Sequence, residues 1–362
     1  MAGYRQDIDK IKPYVPGKPI EQVKRELGLG EVFKLASNEV PFAPLHVRKA
    51  VTRELKNINR YPESGCFNLR QAIAKKIRVK SDQLVFGNGS DELITLALRS
   101  FVDKGDEVVI AQPTFLVYEI QALVQAANVI KVPLKNFRYD LGGMAKAVSP
   151  KTKAVIIANP DNPTGTYLSH DEIKIFLASI PRDVLVFFDE AYFEFAPKDF
   201  PRSKEFLEER GNIIFSRTFS KAYALAGLRV GYAVTSPDIA VILDKVREPF
   251  NVNRIAQVAA LAALEDQTFL KRVLRFVEQE KEYFYCELQK LNIDFVVSAA
   301  NFVLINWKKD VTDVCEYLLK EGVIVRGLQG WGLPQCFRVT AGRHNENKKF
   351  IDCLKKYINR KG

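Results

Sequence analysis

The sequence predicts an α/β fold in which a mostly parallel sheet is covered by helices on both faces. Apolar runs with the character of buried strands alternate with helical patterns, and parallel strands need such crossover helices. Helical residues 170–180 separate two of these strands, and Ser90 is the predicted N-cap of the helix after the first strand. The predicted strands lie within residues 83–89, 106–113, 152–160, 184–190 and 212–219.

The final third of the chain predicts a second, smaller α+β domain. A long helical stretch from about residue 254 to 291 comes before shorter apolar runs, a helix near 311–320 and a terminal helix. A chain of 362 residues exceeds one average core. We therefore expect a large domain and a small domain joined by the N-terminal segment. The expected bounds are 1–45 for that segment, 46–250 for the large domain and 251–362 for the small domain.

Composition argues against several classes of protein. The chain is 47% apolar and 27% charged, as globular proteins are, and it has neither a run long enough to cross a bilayer nor a signal-peptide pattern. The net charge is +11, but acids and bases are mixed along helical stretches such as 271–283, which indicates a solvated face and not a nucleic-acid site. The five cysteines and three histidines form no metal or disulfide motif, and a reducing cytoplasm fits best.

Lys221 and Asp189 are the strongest candidates for chemistry. Lys221 lies among hydroxyls and small residues in TFSKAYALAGLRVGY (218–232), which suits a lysine that forms a Schiff base to an aldehyde cofactor. Asp189 ends a strand too apolar to be solvated, so an ionised carboxylate there needs a partner such as a protonated pyridine nitrogen. Pyridoxal phosphate carries both the aldehyde and the pyridine nitrogen. Taken singly, each residue is more simply a surface charge.

A glycine-rich turn and an aromatic residue follow two of the predicted strands, at the edge where α/β sheets bind ligands. Gly87, Gly89 and Ser90 lead into a helix, and the free N–H groups of a helix start suit phosphate. Phe115 is a candidate to stack on a planar ring. A structural turn and a core phenylalanine are the plainer alternatives.

Two further motifs follow the next strands. The rigid loop NPDNPTG (159–165) presents Asn162, whose amide is a candidate to bind a ring hydroxyl. Tyr192 comes three residues after Asp189 and is a candidate donor to the same ring oxygen. Without the other motifs, the loop would be interpreted as a tight structural turn.

The ordered set GNGSDE, NPDNPTG, DEAY and TFSKAYALAGLRVGY resembles the fold-type-I pyridoxal-phosphate aminotransferases. Within them the chain is similar to the histidinol-phosphate aminotransferases. The narrower resemblance rests on motifs spread over almost the whole chain, namely KPYVPGKP, KLASNEVPF, RYPESG, SAANFVLI, GVIVRG and FRVTAG. It implies a large domain with a seven-stranded type of sheet, pyridoxal 5'-phosphate as the cofactor and a homodimer with shared active sites.

The resemblance also implies roles for individual residues. The residues implied in catalysis are Lys221 as acid and base, Asp189 on the pyridine nitrogen, and Tyr192 on the ring oxygen. The other residues implied to bind the cofactor are Asn162, Phe115, Gly89, Ser90, Thr218, Ser220, Arg229 and, from the neighbouring subunit, Tyr61. The residues implied to bind the substrate are Arg338, Arg326, Tyr14 and Asn38.

The implied reaction transfers the amino group of L-histidinol phosphate to 2-oxoglutarate, giving imidazole acetol phosphate and glutamate in histidine biosynthesis. The pKa of Lys221 is expected to fall from about 10.4 towards roughly 7–8, through burial and a nearby cation. Val40, Ala43 and Arg343 depart from the family pattern near the substrate entrance. They leave the expected cofactor chemistry intact but weaken the prediction of the exact substrate.

Three functions remain open at this stage. The first is the histidinol-phosphate reaction, and the second is an aromatic amino-acid aminotransferase or a threonine-phosphate decarboxylase on the same scaffold. The lysine motif does not separate these, because the bond that breaks depends on how the substrate lies against the ring. The third is a basic nucleic-acid-binding or regulatory module, which would have a clustered basic face and no need for Lys221.

Overall fold

Two sheets and the helices around them make up the protein. The structure is a computed structural model, and it describes residues 3–361. The strands are β1 Phe33–Lys34, β2 Leu84–Gly87, β3 Glu107–Gln112, β4 Asn128–Pro133, β5 Thr152–Ala158, β6 Leu185–Asp189, β7 Ile213–Thr218, β8 Gly231–Val234, β9 Asp294–Val296, β10 Phe302–Asn306, β11 Val323–Ile324, β12 Arg326–Gly327 and β13 Cys336–Thr340. The α-helices are α1 Ile20–Leu27, α2 Leu45–Glu54, α3 Phe67–Ile77, α4 Ser90–Phe101, α5 Val117–Val124, α6 Leu141–Ala147, α7 His170–Ser179, α8 Ser203–Arg210, α9 Pro237–Val246, α10 Arg254–Glu265, α11 Gln267–Lys290, α12 Thr312–Lys320 and α13 His344–Lys361.

The large sheet has seven strands in the order β2-β8-β7-β6-β5-β3-β4. Neighbouring strands from β7 to β4 run parallel, whereas β8 runs antiparallel to both β7 and β2. Every residue of β6 is buried, so both faces of the sheet are covered. The predicted fold class, a mostly parallel seven-stranded sheet with a smaller α+β unit, is confirmed.

The small unit is built on the four-stranded antiparallel sheet β12-β13-β10-β9. Side chains from this sheet and from α11, α12 and α13 form a second hydrophobic core around Phe284, Phe337 and Phe350. Strand β1 pairs in parallel with β11, so the N-terminal segment is hydrogen-bonded to the C-terminal third of the chain. No helix within residues 3–361 is long and apolar enough to cross a membrane.

The predicted helical stretch from about residue 254 to 291 consists of two helices, α10 and α11, which are separated by Asp266. The Asp266 side chain accepts a hydrogen bond from the N–H of Phe269 at 2.9 Å and caps α11. A short acidic side chain favours such a cap over a place in the helix interior. Helix α10 packs with α2 and α3 in the large core. The domain bounds stay a prediction, and we propose that the division after the large domain falls at Asp266.

Gly165 joins the loop 159–165 to the small unit. Its carbonyl accepts from the N–H of Ala299 at 2.7 Å, and its φ of +78° favours glycine. A Cβ at this position would clash with the side chain of Ser298. The loop can therefore approach the small unit only because residue 165 has no side chain.

We predict that Gly165→Ala destabilises the protein by about 1–3 kcal/mol, from backbone strain and from this clash. Thermal melting of the purified variant measures the loss. Gly211→Ala is the matched control, because Gly211 has a φ of +83° with open space around it. We expect Gly165→Ala to lower the melting temperature more than Gly211→Ala does. Equal losses at the two positions would contradict the close approach.

Candidate active site

A cavity of about 350 Å³ lies at the carboxyl edge of the large sheet. Ala158, Asp189 and Thr218, the last residues of the neighbouring strands β5, β6 and β7, all line it. Parallel strands end at one edge of their sheet, so three separate sequence motifs meet there. Residues from the N-terminal segment and from β12 and β13 line the same cavity.

The cavity contains most of the side chains that the sequence singled out. The predicted site residues that line it are Tyr14, Asn38, Ser90, Phe115, Asn162, Asp189, Tyr192, Thr218, Ser220, Lys221, Arg229, Arg326 and Arg338. Gly89 lies directly before Ser90. Tyr61 is not part of this cavity: it is exposed and stacks on Phe250 with ring centroids 4.7 Å apart.

Asp189 is a buried carboxylate held by neutral donors. Its Oδ2 accepts from the Tyr118 hydroxyl at 2.7 Å, and its Oδ1 accepts from the N–H of Ala191 at 3.1 Å. Burial raises the pKa of Asp189 to about 6, and the Tyr118 hydrogen bond opposes that rise. Among the described residues, no Lys, Arg or His lies within 4.0 Å of this carboxylate. The uncompensated negative charge of Asp189 therefore favours a ligand that places a cationic atom beside this carboxylate.

Lys221 points into the same cavity. Its Nζ lies 3.5 Å from the carbonyl oxygen of Ser37 and 5.8 Å from the centre of the Tyr192 ring. Burial and, next in size, the positive charge of Arg338 together lower the pKa of Lys221 to about 8. The direction and size agree with the expectation from the sequence. A lysine with this pKa is partly neutral near physiological pH, and the neutral amine is the nucleophilic form.

The start of α4 and the Arg229 guanidinium form a corner suited to an anion. Gly89, not Ser90 as predicted, is the N-cap of α4, and Ser90 is its first residue. Gly89 has a φ of +81°, and a Cβ there would clash with the guanidinium of Arg229. This close approach explains why glycine occupies the cap. Arg229 also donates to the Ser220 hydroxyl at 3.3 Å and to Asp91 at 3.0 Å.

Free backbone donors complete this corner. The first N–H groups of a helix have no partner within the helix and attract negative charge. Thr218 accepts from the N–H of Ser220 at 3.1 Å, which fixes the turn that precedes Lys221. Helix start, hydroxyls and guanidinium therefore converge on one side of the cavity.

Arg326 and Arg338 lie directly opposite each other on the paired strands β12 and β13. Like charges at opposed positions of a sheet destabilise it unless an anion compensates them. Burial lowers the pKa of Arg338, and the nearby charge of Arg326 adds to the effect. The Nε of Arg338 is buried and has no hydrogen-bond partner among the described residues. The pair is thus arranged to bind a carboxylate or a phosphate.

Asn162 and Tyr192 are held in place by side chains from distant parts of the chain. Arg338 donates to the Oδ1 of Asn162 and, at 2.9 Å, to the carbonyl of Ala36. The Nδ2 of Asn38 donates to the Tyr192 hydroxyl oxygen at 2.7 Å. Because these bonds use acceptor oxygens, the amide N–H of Asn162 and the hydroxyl hydrogen of Tyr192 stay available for a ligand.

Three contributors to the site were missed in the sequence. Tyr118 donates to Asp189, Ser216 lies 3.5 Å from the same carboxylate, and Ser37 accepts from Lys221. Tyr118 follows Phe115 by only three residues, at the turn that leads into α5, and this short separation was a signal that the two rings are neighbours. No group of three or more His, Cys, Asp or Glu side chains in the described part of the chain could hold a metal ion.

Comparison with known proteins agrees with this geometry. The family Aminotransferase class I and II matches residues 30–354. The chain belongs to that family. A histidinol-phosphate aminotransferase from Moorella thermoacetica is 43% identical over 357 residues, which cover 98% of this chain and 92% of the relative. This comparison confirms the predicted resemblance to the histidinol-phosphate aminotransferases.

Solved structures share the architecture. A histidinol-phosphate aminotransferase from Sinorhizobium meliloti, solved in complex with pyridoxal-5'-phosphate, has a TM-score of 0.93 and 28% identity, covering 100% of this chain and 99% of its own. An L-threonine-O-3-phosphate decarboxylase from Porphyromonas gingivalis has a TM-score of 0.81 and 25% identity, covering 91% and 100%.

We predict that Lys221→Met stabilises the cofactor-free protein by about 3 kcal/mol at neutral pH, because the folded state no longer buries an ammonium with a lowered pKa. Below a pH of about 8 the folded protein carries the full cost of that charge. As the pH rises towards the unfolded pKa of about 10.4, the lysine loses its charge in both states and the gain should vanish.

Thermal melting across this pH range measures the effect. Lys49→Met, on the exposed side of α2, is the matched control and should leave the melting temperature unchanged. A loss of stability in Lys221→Met, or a gain that does not depend on pH, would contradict the buried, destabilised ammonium.

Proposed function

We propose that the protein is a pyridoxal-phosphate-dependent aminotransferase that moves the amino group of L-histidinol phosphate to 2-oxoglutarate. The products are imidazole acetol phosphate and glutamate, in histidine biosynthesis. One observation carries the proposal. A lysine with a lowered pKa and a buried carboxylate without a cation line a single cavity with an opposed pair of arginines. The relatives named above support the choice of substrate.

The residues of the cavity fit pyridoxal 5'-phosphate. Asp189 offers a buried negative charge to a protonated ring nitrogen, and its raised pKa reflects burial without a cationic partner. The start of α4, Ser220 and Arg229 offer donors to a phosphate. Phe115 lines the cavity beside Tyr118, with ring centroids 5.6 Å apart, and offers an aromatic face to the ring. Lys221 offers its amine to the aldehyde.

When bound, pyridoxal phosphate supplies an aldehyde carbon that accepts the amino group and a ring that withdraws the electron pair of the broken C–H bond. Asp189 keeps the ring nitrogen protonated, which makes the ring more electron-withdrawing. The Nζ of Lys221 takes the proton from the substrate carbon and returns it to the cofactor carbon. Its pKa of about 8 suits this transfer in both directions near neutral pH.

The remaining side chains position the reacting groups. Asn162 and Tyr192 donate hydrogen bonds to the ring oxygen, and Arg338 and Asn38 hold them in orientation. Arg338 and Arg326 bind the anionic end of the substrate. Histidinol phosphate carries a phosphate and 2-oxoglutarate carries carboxylates, so one pair of guanidinium groups serves both halves of the reaction.

We also propose that two copies of the chain form a dimer in the cytoplasm. Tyr61 is 79% exposed and lies outside the cavity of its own chain, so it is free to reach the phosphate site of a neighbour. Ile58 and Phe250 are also exposed and line one groove with Tyr61, which gives this surface an apolar character.

The substrate assignment predicts a clear order of reactivity. Cofactor-loaded protein should convert histidinol phosphate, with 2-oxoglutarate as acceptor, at least about tenfold more efficiently than phenylalanine or tyrosine. Glutamate formation measures the rate, and carbon dioxide release is followed in parallel with threonine phosphate as substrate. Lys221→Ala should bring turnover to background while the fold survives.

Faster reaction of phenylalanine would instead favour an aromatic amino-acid aminotransferase. Release of carbon dioxide from threonine phosphate would favour a decarboxylase. The structurally similar protein from Porphyromonas gingivalis is named as such an enzyme. Substantial transamination by Lys221→Ala would refute the assignment of Lys221 whichever substrate is used.

The shared site can be tested by mixing two inactive variants. If Tyr61 serves the neighbouring subunit, a dimer of one Lys221→Ala chain and one Tyr61→Ala chain contains one intact site. Random reassortment should then recover about a quarter of the wild-type activity. Activity after unfolding and refolding the mixture is compared with each variant alone. No recovery in the mixture, with both variants folded, would show that Tyr61 does not act across an interface.

A further inference from the structure

A second cavity lies on the other face of the large sheet from the candidate active site. It has a volume of about 630 Å³. Side chains alternate between faces along a strand, so Thr218 lines the first cavity while its neighbour Arg217 lines the second. The proposed transamination makes no use of this second cavity.

The walls of the second cavity are aromatic and aliphatic. Phe200, Tyr223 and Leu270 are buried, and Phe193 is partly buried. Helix α3 contributes Ile73. Such a lining suits the apolar body of a small organic ligand.

An unpaired acidic oxygen faces these walls. The Oε2 of Glu194 is buried and has no hydrogen-bond partner among the described residues. Burial raises the pKa of Glu194 to about 7, although Arg217 and Lys76 both oppose the rise. Arg217 already has other partners. Its Nε donates to Glu190 at 2.9 Å, and its guanidinium carbon lies 3.3 Å from the centre of the Phe193 ring. The Oε2 of Glu194 therefore lacks a direct donor, and a ligand ammonium would supply one.

The ammonium group of Lys76 lies at the mouth of the same cavity. Lys76 is exposed, and its Nζ makes two long contacts of 3.4 Å, to the Tyr223 hydroxyl and to the Leu264 carbonyl. In the described part of the chain, no carboxylate lies within ion-pair distance of this ammonium. An anionic group of a ligand could bind there without displacing an existing ion pair.

Most charges that line the cavity already have partners. Arg217 pairs with Glu190, and Arg202 and Lys204 pair with carboxylates of α8. Among the described residues this leaves the carboxyl group of Glu194 and the exposed ammonium groups of Lys76 and Lys198 without an ion pair. A ligand that carries both an ammonium and a carboxylate can pair with Glu194 and with a lysine at once, whereas a singly charged ligand can pair with only one of them. The cavity thus favours a zwitterion over a singly charged compound.

We propose that the second cavity binds a small zwitterionic α-amino acid with an aromatic side chain. Its ammonium donates to Glu194, its carboxylate accepts from Lys76 at the mouth, and its ring packs against Phe193, Phe200 and Tyr223. The site is separate from the one that carries out transamination, so it does not depend on Lys221 or on Arg338.

The test uses a probe that cannot react at the aldehyde. N,N-dimethyl-L-phenylalanine is a zwitterion with one N–H, and a tertiary amine forms no covalent bond to pyridoxal phosphate. Calorimetric titration of the cofactor-loaded protein should show one probe per chain, with a Kd of about 1 mM or tighter. Its two singly charged analogues, 3-phenylpropionate and N,N-dimethylphenethylamine, should each bind at least about tenfold more weakly.

Variants test whether the probe binds in the second cavity. Glu194→Gln and Lys76→Met should each weaken the probe at least about tenfold, whereas the exposed neighbour Lys75→Met and the active-site variant Arg338→Met should not. Ile77→Trp leaves every charge in place and fills part of the cavity, so it should also abolish binding if it folds. Thermal melting confirms that each variant is folded at the temperature of the titration.

Three results would overturn the proposal. The first is a titration of the wild-type protein that shows no saturable binding. The second is binding that is lost in Arg338→Met but kept in Glu194→Gln, since the probe would then occupy the active site. The third is an equal effect of Lys75→Met and Lys76→Met on probe binding, which would mean that Lys76 acts only through the general charge of the surface.

Discussion

The active site depends on one carboxylate that the fold buries without a cation of its own. Asp189 ends the central strand β6, and Tyr118 and the backbone of Ala191 satisfy its oxygens with neutral donors. These bonds orient the carboxylate but leave its charge uncompensated, which is why burial raises its pKa to about 6. A carboxylate in this state binds a cationic ring nitrogen more strongly than a solvated one would.

Positive groups around the same cavity balance this acid. Lys221, Arg326 and Arg338 all line it, and each has a pKa below its ordinary value, chiefly because of burial. The charge of Arg338 also keeps Lys221 partly neutral, so the group that we propose to bind the substrate anion tunes the amine that we propose to perform the chemistry. Arrival of an anion at Arg338 would weaken that influence and make the lysine more basic.

Local patterns in the sequence were sufficient for five of the seven strands of the large sheet and for most of the residues around the cavity, whereas β4 and β8 were not predicted from them. Continuous apolar runs marked β5 and β6, since both faces of a parallel sheet are buried. Motifs at the ends of these strands meet because parallel strands end at one edge. Gly89 and Ser90 were both recognised, but the cap was assigned to the wrong one because the approach of Arg229 is a tertiary contact.

Features that depend on distant partners could not be predicted in the same way. The bond from Tyr118 to Asp189 joins residues 71 positions apart, and the opposition of Arg326 and Arg338 depends on the register of two strands. The break at Asp266 did have a local signal, an aspartate at a helix start, but the apolar pattern on both sides continued through it. The cavity around Glu194 is formed by α3, β7 and the start of α11, which no short motif connects.

The state of the ring nitrogen tests the central claim most directly. Protein loaded with pyridoxal phosphate carrying ¹⁵N in its ring reports that state in a nitrogen NMR spectrum at neutral pH. The account predicts a protonated nitrogen in the wild-type protein and an unprotonated one in Asp189→Asn, where the amide cannot compensate a positive charge. An unprotonated nitrogen in the wild-type protein would contradict the role assigned to this carboxylate.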